Sequence, residues 1–525
     1  MSNIKRKSIL NGITVLSITG LICKLIGVLY RIPLAWLVTE EGLGLYQLVF
    51  PSYAMLLTIS SAGIPVAISK MISYSIAEND PRTAKKTFRI ALYMLIVVGF
   101  VATIIMLLGA DFLSVRVGNP KTKMGFVAIA PSLLIVCVMS AFRGYMQGLS
   151  DMKPTAVSQL IEQVGKVLFS LPLAYYGMQF SIATAASYAL FGISLAELIA
   201  LAYMYFRYRA VHRDIDELEQ DLSKPQYSRK TIAKRLISMA VPITLGATVV
   251  PLSSFVDSAM LVNRLCMLDM TVDHACILYG LYSGLVITLI NVPTALAIAI
   301  SMSLVPAISS ASSEHNQEKI RKNSSLGLRF AFLIGLPCSF GMSVLAKPLL
   351  HFFYSSLGEQ SIDIAANLLE ISSFTIVLFT VVQATSGILQ GMQKQKIPMY
   401  TLALGVAIKI VLNYFFVSHP AINIYGAPVA SLVCYTISAI PNIYYVNKYC
   451  DIKFDTQNYL LRPGAASVGM ALVLYLLQKI LPFGRLSTAL LFFIGIAVFF
   501  ALAVLFKAFT KDDLLLIKNR GKKHV

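Results

Sequence analysis

From residue 9 to residue 508 the sequence alternates apolar runs of about 20 residues or more with short polar or Gly/Pro-marked breaks. Fourteen such runs can be read, at 9–38, 43–75, 86–108, 124–148, 154–176, 183–206, 233–262, 275–311, 325–348, 362–390, 398–418, 424–447, 460–481 and 486–508. A helix of this length crosses about 30 Å of hydrocarbon while satisfying its own backbone hydrogen bonds. The expectation is an all-α integral membrane protein with 14 transmembrane helices. Composition agrees: 13% of the residues are charged, against roughly 25% in a soluble domain. Several runs exceed the minimum length, so tilt, kinks or extension beyond the bilayer are expected. The start, MSNIKRKSILNGITVLSITGL, has the basic-then-apolar pattern of a signal peptide. No small-x-small site closes it and further runs follow, so it reads as an uncleaved first helix.

The net charge of +19 would point to nucleic acid in a soluble chain, but here the cations gather in alternate short loops. With the N-terminus cytoplasmic, 32 of the 44 Lys and Arg residues fall in inside segments, from Lys5, Arg6 and Lys7 to the C-terminal tail. Six fall outside: Arg116, Lys121, Lys123, Arg264, Lys479 and Arg485. This loop-by-loop alternation follows the positive-inside rule and predicts a multi-pass membrane protein with both termini cytoplasmic. Nucleic acid is excluded as a partner. The seven cysteines form no CxxC or metal spacing; Cys266 and Cys276 flank one outside loop and read as two thiols rather than a disulfide.

The polar stretch 207–232 divides the first six runs from the next six, and the halves resemble each other. GYMQGLSDMK at 144–153 aligns with GILQGMQKQK at 387–396, a shift of 243 that also carries Lys166 onto Lys409. PVAIS at 65–69 matches VPAIS at 305–309. Six runs per half start both halves on the same side, so the repeats are parallel, an arrangement that places substrate between two lobes. The expected divisions are an N-lobe 1–206, a cytoplasmic connector 207–232, a C-lobe 233–447, and a region 448–525 with two further spans and a basic tail.

Charges inside the runs are costly, roughly 2.5–3.5 kcal/mol each at mid-membrane, and point to function. Lys24 and Arg31 in LICKLIGVLYRIPLAWLV are seven residues apart, within about 20° in helical phase, so they share one face. With Lys70, Lys166 and Lys409 they are candidates for an anion-binding wall. Arg31 could instead snorkel to the interface, and Lys70 could simply follow the loop rule. Glu162 and Lys166 are spaced i, i+4 and could neutralise each other. Asp257 is the candidate for ion or proton coupling; Glu197 and Glu370 are further intramembrane acids. Pro33, Pro51, Pro65, Pro242, Pro251, Pro293 and Pro306 lie in the first, second, seventh and eighth runs, which suggests bending elements that gate a cavity. No HExxH motif, P-loop or large hydrophilic segment is present, so neither an enzyme nor a bound cofactor or metal is expected.

The stretch CKLIGVLYRIPLAWLVTEEGLGLYQLVFPSYAMLLTISSAGIPVAISKMIS, the QG loop and NVPTALAIAISMSLVPAIS resemble the stage V sporulation protein B group of polysaccharide-biosynthesis flippases. That group is related to the MurJ-type lipid II flippases within the multidrug/oligosaccharidyl-lipid/polysaccharide exporter superfamily. The resemblance covers nearly the whole chain. It implies a fourteen-helix, two-lobed transporter that moves undecaprenyl-pyrophosphate-linked saccharide, such as a peptidoglycan precursor for cell wall or spore cortex, to the outer leaflet by alternating access. Lys24 in KLIG falls on a basic first-span position that binds pyrophosphate in the family, and Arg31 is offset by about one residue from a second. The stretch TLINVP at 288–293 lacks the arginine that MurJ-like sequences carry before their LP, with Thr288 near that place, a departure toward the sporulation subgroup. The resemblance also implies that the last two spans form a groove for the lipid tail. Expected partners are the lipid-linked saccharide, membrane lipids and a monovalent cation or proton, with the protein acting as a monomer. A cation-coupled multidrug exporter of the same superfamily and a non-transporting envelope-assembly scaffold are the alternatives.

Overall fold

The computed structural model describes residues 2–78, 80–217, 227–452, 454–482 and 484–508, leaving aside the side chains of 2–14, 17 and 212–217. Residues 218–226 of the connector 207–232, Lys453, the tail beyond residue 508 and the side chains of Lys5, Arg6 and Lys7 therefore lie outside the described residues. What is described is helical, without a strand. In chain order the helices are α1 (Ser2–Ser61), α2 (Gly63–Ala77), α3 (Pro81–Leu108), α4 (Ala110–Arg116), α5 (Lys123–Gly148), α6 (Lys153–Gly165), α7 (Leu171–Gly177), α8 (Ile182–Glu217), α9 (Arg229–Cys266) and α10 (Val272–Tyr279). They continue with α11 (Ile287–Ser313), α12 (Gln317–Val344), α13 (Ala346–Tyr354), α14 (Glu359–Ser372), α15 (Thr375–Gly391), α16 (Lys396–Phe416), α17 (Gly426–Cys450), α18 (Arg462–Ile480) and α19 (Arg485–Leu505).

Eleven described helices are long and apolar enough to cross a membrane, or twelve if α14 and α15, bent by 41°, form one span. With α14 and α15 taken as one span, the difference from fourteen lies in two places. First, α1 is interrupted at Thr39 (φ 61°, ψ −179°). The side chains of Tyr30 and Tyr46 interact across that point, although 16 residues of straight helix would hold them about 24 Å apart. The chain therefore reverses at Thr39, between the runs read at 9–38 and 43–75. Second, the run 154–176 is divided by a π-helical segment, Lys166–Ser170, into α6 and α7. Pro172 follows that segment, and another π segment, Gln457–Leu461, precedes Pro463. A proline cannot donate to the helical ladder, and the turn before it relaxes to a wider register. A positive φ is costly for a β-branched residue. Thr39→Gly is thus expected to raise the stability of the purified protein by about 1 kcal/mol, read as a higher melting temperature in detergent.

Packing divides the chain into two units, Met1–Gly284 with Val417–Ile424, and Leu285–Phe416 with Tyr425–Val525. This division falls within the eighth run rather than in the polar connector, because α9 packs against α1 and α2 of the first unit. The start of the eighth run is fastened there too. Gln47 Nε2 donates to the Ser283 carbonyl at 2.7 Å, and Lys121 Nζ lies 2.8 Å from Glu41 and 2.7 Å from Asp273. The thiol of Cys276 sits 3.8 Å from the Glu41 carbonyl; Cys266 and Cys276 are both free thiols. At its other end the first unit is cored by Phe88, Phe142, Tyr145 and Tyr208, with Phe88 4.8 Å from Tyr145 and 4.7 Å from Tyr208 between ring centres.

The second unit holds two apolar clusters. One joins α11, α12, α15 and α17 around Ile308, Leu328, Ile388 and Val446; the other joins α12, α18 and α19 through Leu333, Met470, Leu491 and Phe499.

Helices in lipid gain little from apolar burial alone and associate where small residues let backbones approach. The QG repeat does this in each unit. A Cβ on Gly144 would lie 2.8 Å from the Pro65 carbonyl oxygen, and one on Gly387 would lie 2.8 Å from the Ser301 carbonyl oxygen. Gly148 and Gly391 likewise abut Ile72 and Ile308. The 243-residue shift thus marks the same contact made twice. The PVAIS and VPAIS pairing is displaced from it: the packing equates Pro65 with Ser301 and Ile72 with Ile308, about one helical turn from the register the motif suggests. Similar apolar strings repeat each turn, so a short motif can slide by four residues without losing its pattern.

Candidate functional site

On the first part of α1, Ile18, Ile22, Leu25, Leu29 and Trp36 are exposed and form one apolar stripe. Exposed Lys24 and half-buried Arg31 lie about 140° around the helix from that stripe. Beside them, Cys23, Gly27 and Tyr30 turn toward α6 and the π segment: Cys23 feels Glu162 and Lys166, a Cβ on Gly27 would meet Gln163, and Tyr30 approaches Ser170. The two cations thus share a face that borders the packed side of the helix and points away from its apolar side.

Behind that face an alternating series of charges runs through the first unit. Arg143 on α5 reaches Glu162 on α6, Nη2 to Oε2 3.2 Å, with both side chains mostly buried (14% and 13% exposed). Its Nε donates to Ser158 Oγ at 2.9 Å. Lys166 opens the π segment one turn beyond Glu162 and acts electrostatically on Glu197 of α8. Glu197 is 4% exposed and accepts a hydrogen bond from Tyr53 Oη at 2.9 Å. Ser132 lies beside it and shares a 2.8 Å hydroxyl contact with Ser194. Tyr46 faces both Glu197 and Arg31, which carries the series toward the hairpin at Thr39.

Glu162 is therefore paired with Arg143 of a neighbouring helix, in place of the Lys166 pairing suggested by i, i+4 spacing. The Arg143 guanidinium reaches the carboxylate across the interface between α5 and α6. Arg143 is one of the 32 cations that the positive-inside reading assigns to inside segments, although it lies within the run 124–148. Its position within an apolar stretch, five residues before Gly148, was the available signal.

The remaining candidates are dispersed. Lys70 is exposed on α2 between Val66 and Tyr74. Asp257 is half-buried on α9. In the second unit Lys409 is buried on α16, one turn before the buried Asn413, and Glu370 is exposed at the end of α14. At a shift of 243, Arg143, Glu162 and Glu197 meet Ser386, Gly405 and Ile440, so of the series only the lysine recurs. Pro33 and Pro51 lie inside α1, Pro242 and Pro251 inside α9, and Pro293 and Pro306 inside α11. Pro65 lies in the first turn of α2, where a missing N–H costs nothing. The 41° bend between α14 and α15 contains no proline.

Comparison with known proteins accords with this architecture. Lipid II flippase MurJ of Bacillus subtilis is 27% identical over 424 residues, covering 77% of this chain and 76% of the relative. Stage V sporulation protein B of Bacillus subtilis is 24% identical over 523 residues, covering 98% and 99%. Among solved structures, lipid II flippase MurJ in an inward closed conformation superposes with a TM-score of 0.67 at 12% identity, over 94% of this chain and 98% of that one. An inward-facing MATE family transporter of the MOP superfamily gives 0.67 at 15% identity, over 83% and 98%. These likenesses establish the fold as that of multi-span transporters and flippases rather than of enzymes. A family model described as MatE matches residues 283–415. Another, described as polysaccharide biosynthesis protein, matches residues 9–312, more than half of the chain, and it is to this family of membrane transporters that the protein belongs.

Proposed function

We propose that the protein carries an undecaprenyl-pyrophosphate-linked saccharide, lipid II or a related precursor of cell wall or spore cortex, from the inner to the outer leaflet by alternating access. The observation that carries this reading is the placement of Lys24 and Arg31 away from the apolar stripe of α1, on a face suited to water and an anion. A pyrophosphate crossing hydrocarbon needs cations and hydration, while its prenyl tail can stay in lipid. With both termini cytoplasmic, outward movement of an anion is favoured by an inside-negative potential by about 2.3 kcal/mol per charge per 100 mV. The similarity to a named lipid II flippase over three quarters of both chains supports the substrate class. A multidrug exporter for cationic compounds would present carboxylates on that face of α1, where this chain presents two cations.

The test is the double variant Lys24→Gln, Arg31→Gln in cells depleted of the native protein. It should reach the membrane at normal levels, yet the outer-leaflet pool of lipid II accessible to an external probe should fall at least tenfold, the loss expected when two charge-assisted phosphate contacts are removed. Normal exposure of lipid II in these cells would overturn the cationic-face mechanism. An unchanged pool after depletion of the protein itself would overturn the substrate.

A further inference from the structure

Glu197 has one satisfied oxygen and one that is not. Tyr53 holds Oε1, while Oε2 is buried without a hydrogen-bond partner. An unmet carboxylate oxygen at this depth is costly when ionised and is relieved by a proton. The groups facing it come from each neighbouring element: Tyr53 and Tyr46 from α1, Ser132 from α5, Glu162 from α6 and Lys166 from the π segment. Arg143 joins through Glu162. With all four charged groups ionised, Arg143 and Lys166 balance Glu162 and Glu197. A proton on Glu197 leaves one positive charge over, and Lys166 is the cation next to it.

We propose that Glu197 is a proton-binding site whose occupancy sets the anion affinity of the first unit. The proton passes from water to Oε2 without any change in covalent bonding or redox state elsewhere, and returns to water on release. With the proton bound, Lys166 is available to a phosphate oxygen; with the proton gone, Glu197 takes that charge back. Proton and anion then strengthen each other's binding by the same factor. The proton site stands on the geometry of Glu197 alone, whereas its link to phosphate rests on the proposed substrate class.

Infrared difference spectra of the protein in lipid nanodiscs, recorded at stepped pH, test the first part. The C=O stretch of a buried protonated carboxylic acid should appear as pH falls and be lost in Glu197→Gln; a band that survives this substitution overturns the site. Tyr53→Phe retains Glu197 and should keep the band while moving its midpoint, so an unmoved midpoint counts against the site even where Glu197→Gln fails to fold. Binding of undecaprenyl pyrophosphate, followed by native mass spectrometry on either side of the midpoint, tests the second part. The native protein should bind roughly tenfold more tightly on the acid side, the reverse of the trend that protonation of the ligand would produce. Glu197→Gln should bind tightly at both pH values, and Lys166→Met should keep the band but lose the pH response. A pH response unchanged in Glu197→Gln overturns the linkage. Absence of undecaprenyl pyrophosphate binding at any pH overturns the linkage and the substrate class together, and leaves the proton site to be decided by the infrared band.

Discussion

Glu162→Gln is expected to destabilise the protein by about 3 kcal/mol, and Arg143→Gln added to it should restore most of that loss. The two side chains meet at 3.2 Å with little solvent exposure, each from a helix embedded in the first unit. Removing the carboxylate leaves a guanidinium that cannot be deprotonated in a place where water is scarce. Removing both charges takes away the attraction and the desolvation cost together, which is why paired neutralisation of buried ion pairs is tolerated far better than a single deletion. The measurement is a double-mutant cycle on melting temperature and monodisperse yield in detergent. Single variants that melt with the native protein, or a double variant worse than either single, would show that Arg143 and Glu162 do not act as a pair.

The second large effect concerns the repeated glycines. Gly144→Val and Gly387→Val should each sharply reduce the yield of folded protein. Each new Cβ would lie 2.8 Å from a backbone carbonyl oxygen, that of Pro65 in one unit and Ser301 in the other. A carbonyl in a helix cannot swing aside as a side chain can, so the helices must separate, at a cost of several kcal/mol once the branched methyl groups are added. Gly464→Ala is the control. Nothing lies within 4 Å of the added Cβ, and alanine is the better helix former by up to about 1 kcal/mol, so that variant should melt at or slightly above the native temperature. A Gly144→Val protein as stable as the native one would show that α5 does not approach α2 closely.

Much of the architecture was legible before any tertiary information. The runs at 86–108, 124–148, 183–206, 233–262 and 398–418 lie within α3, α5, α8 and α9 and, to within two residues, α16, because span length follows from the transfer cost of each residue and the thickness of hydrocarbon. The 144–153 and 387–396 match located a real repeated contact, since glycine is the residue that permits it. Two of the π segments, Lys166–Ser170 and Gln457–Leu461, could have been read from Pro172 and Pro463, whereas a third, Gly280–Val286, has no proline directly after it. Bending was less legible: prolines marked α1, α9 and α11, yet the 41° bend lies at Ser372–Thr375, where tertiary packing rather than a missing N–H turns the chain. The i, i+4 reading of Glu162 and Lys166 failed for a related reason. It considered one helix, and the partner that wins is on another.

The sequence by itself determined that the chain crosses a membrane many times, that its halves repeat, and that Lys24 and Arg31 share a face. These are consequences of local periodicity and of solvation, which act residue by residue. Only the tertiary structure decided that Arg143 pairs with Glu162, that Tyr53 takes one oxygen of Glu197 and leaves the other unmet, and that α9 joins the first unit. Such choices depend on groups distant in sequence meeting within hydrogen-bonding distance, where a shift of one helical turn exchanges one partner for another.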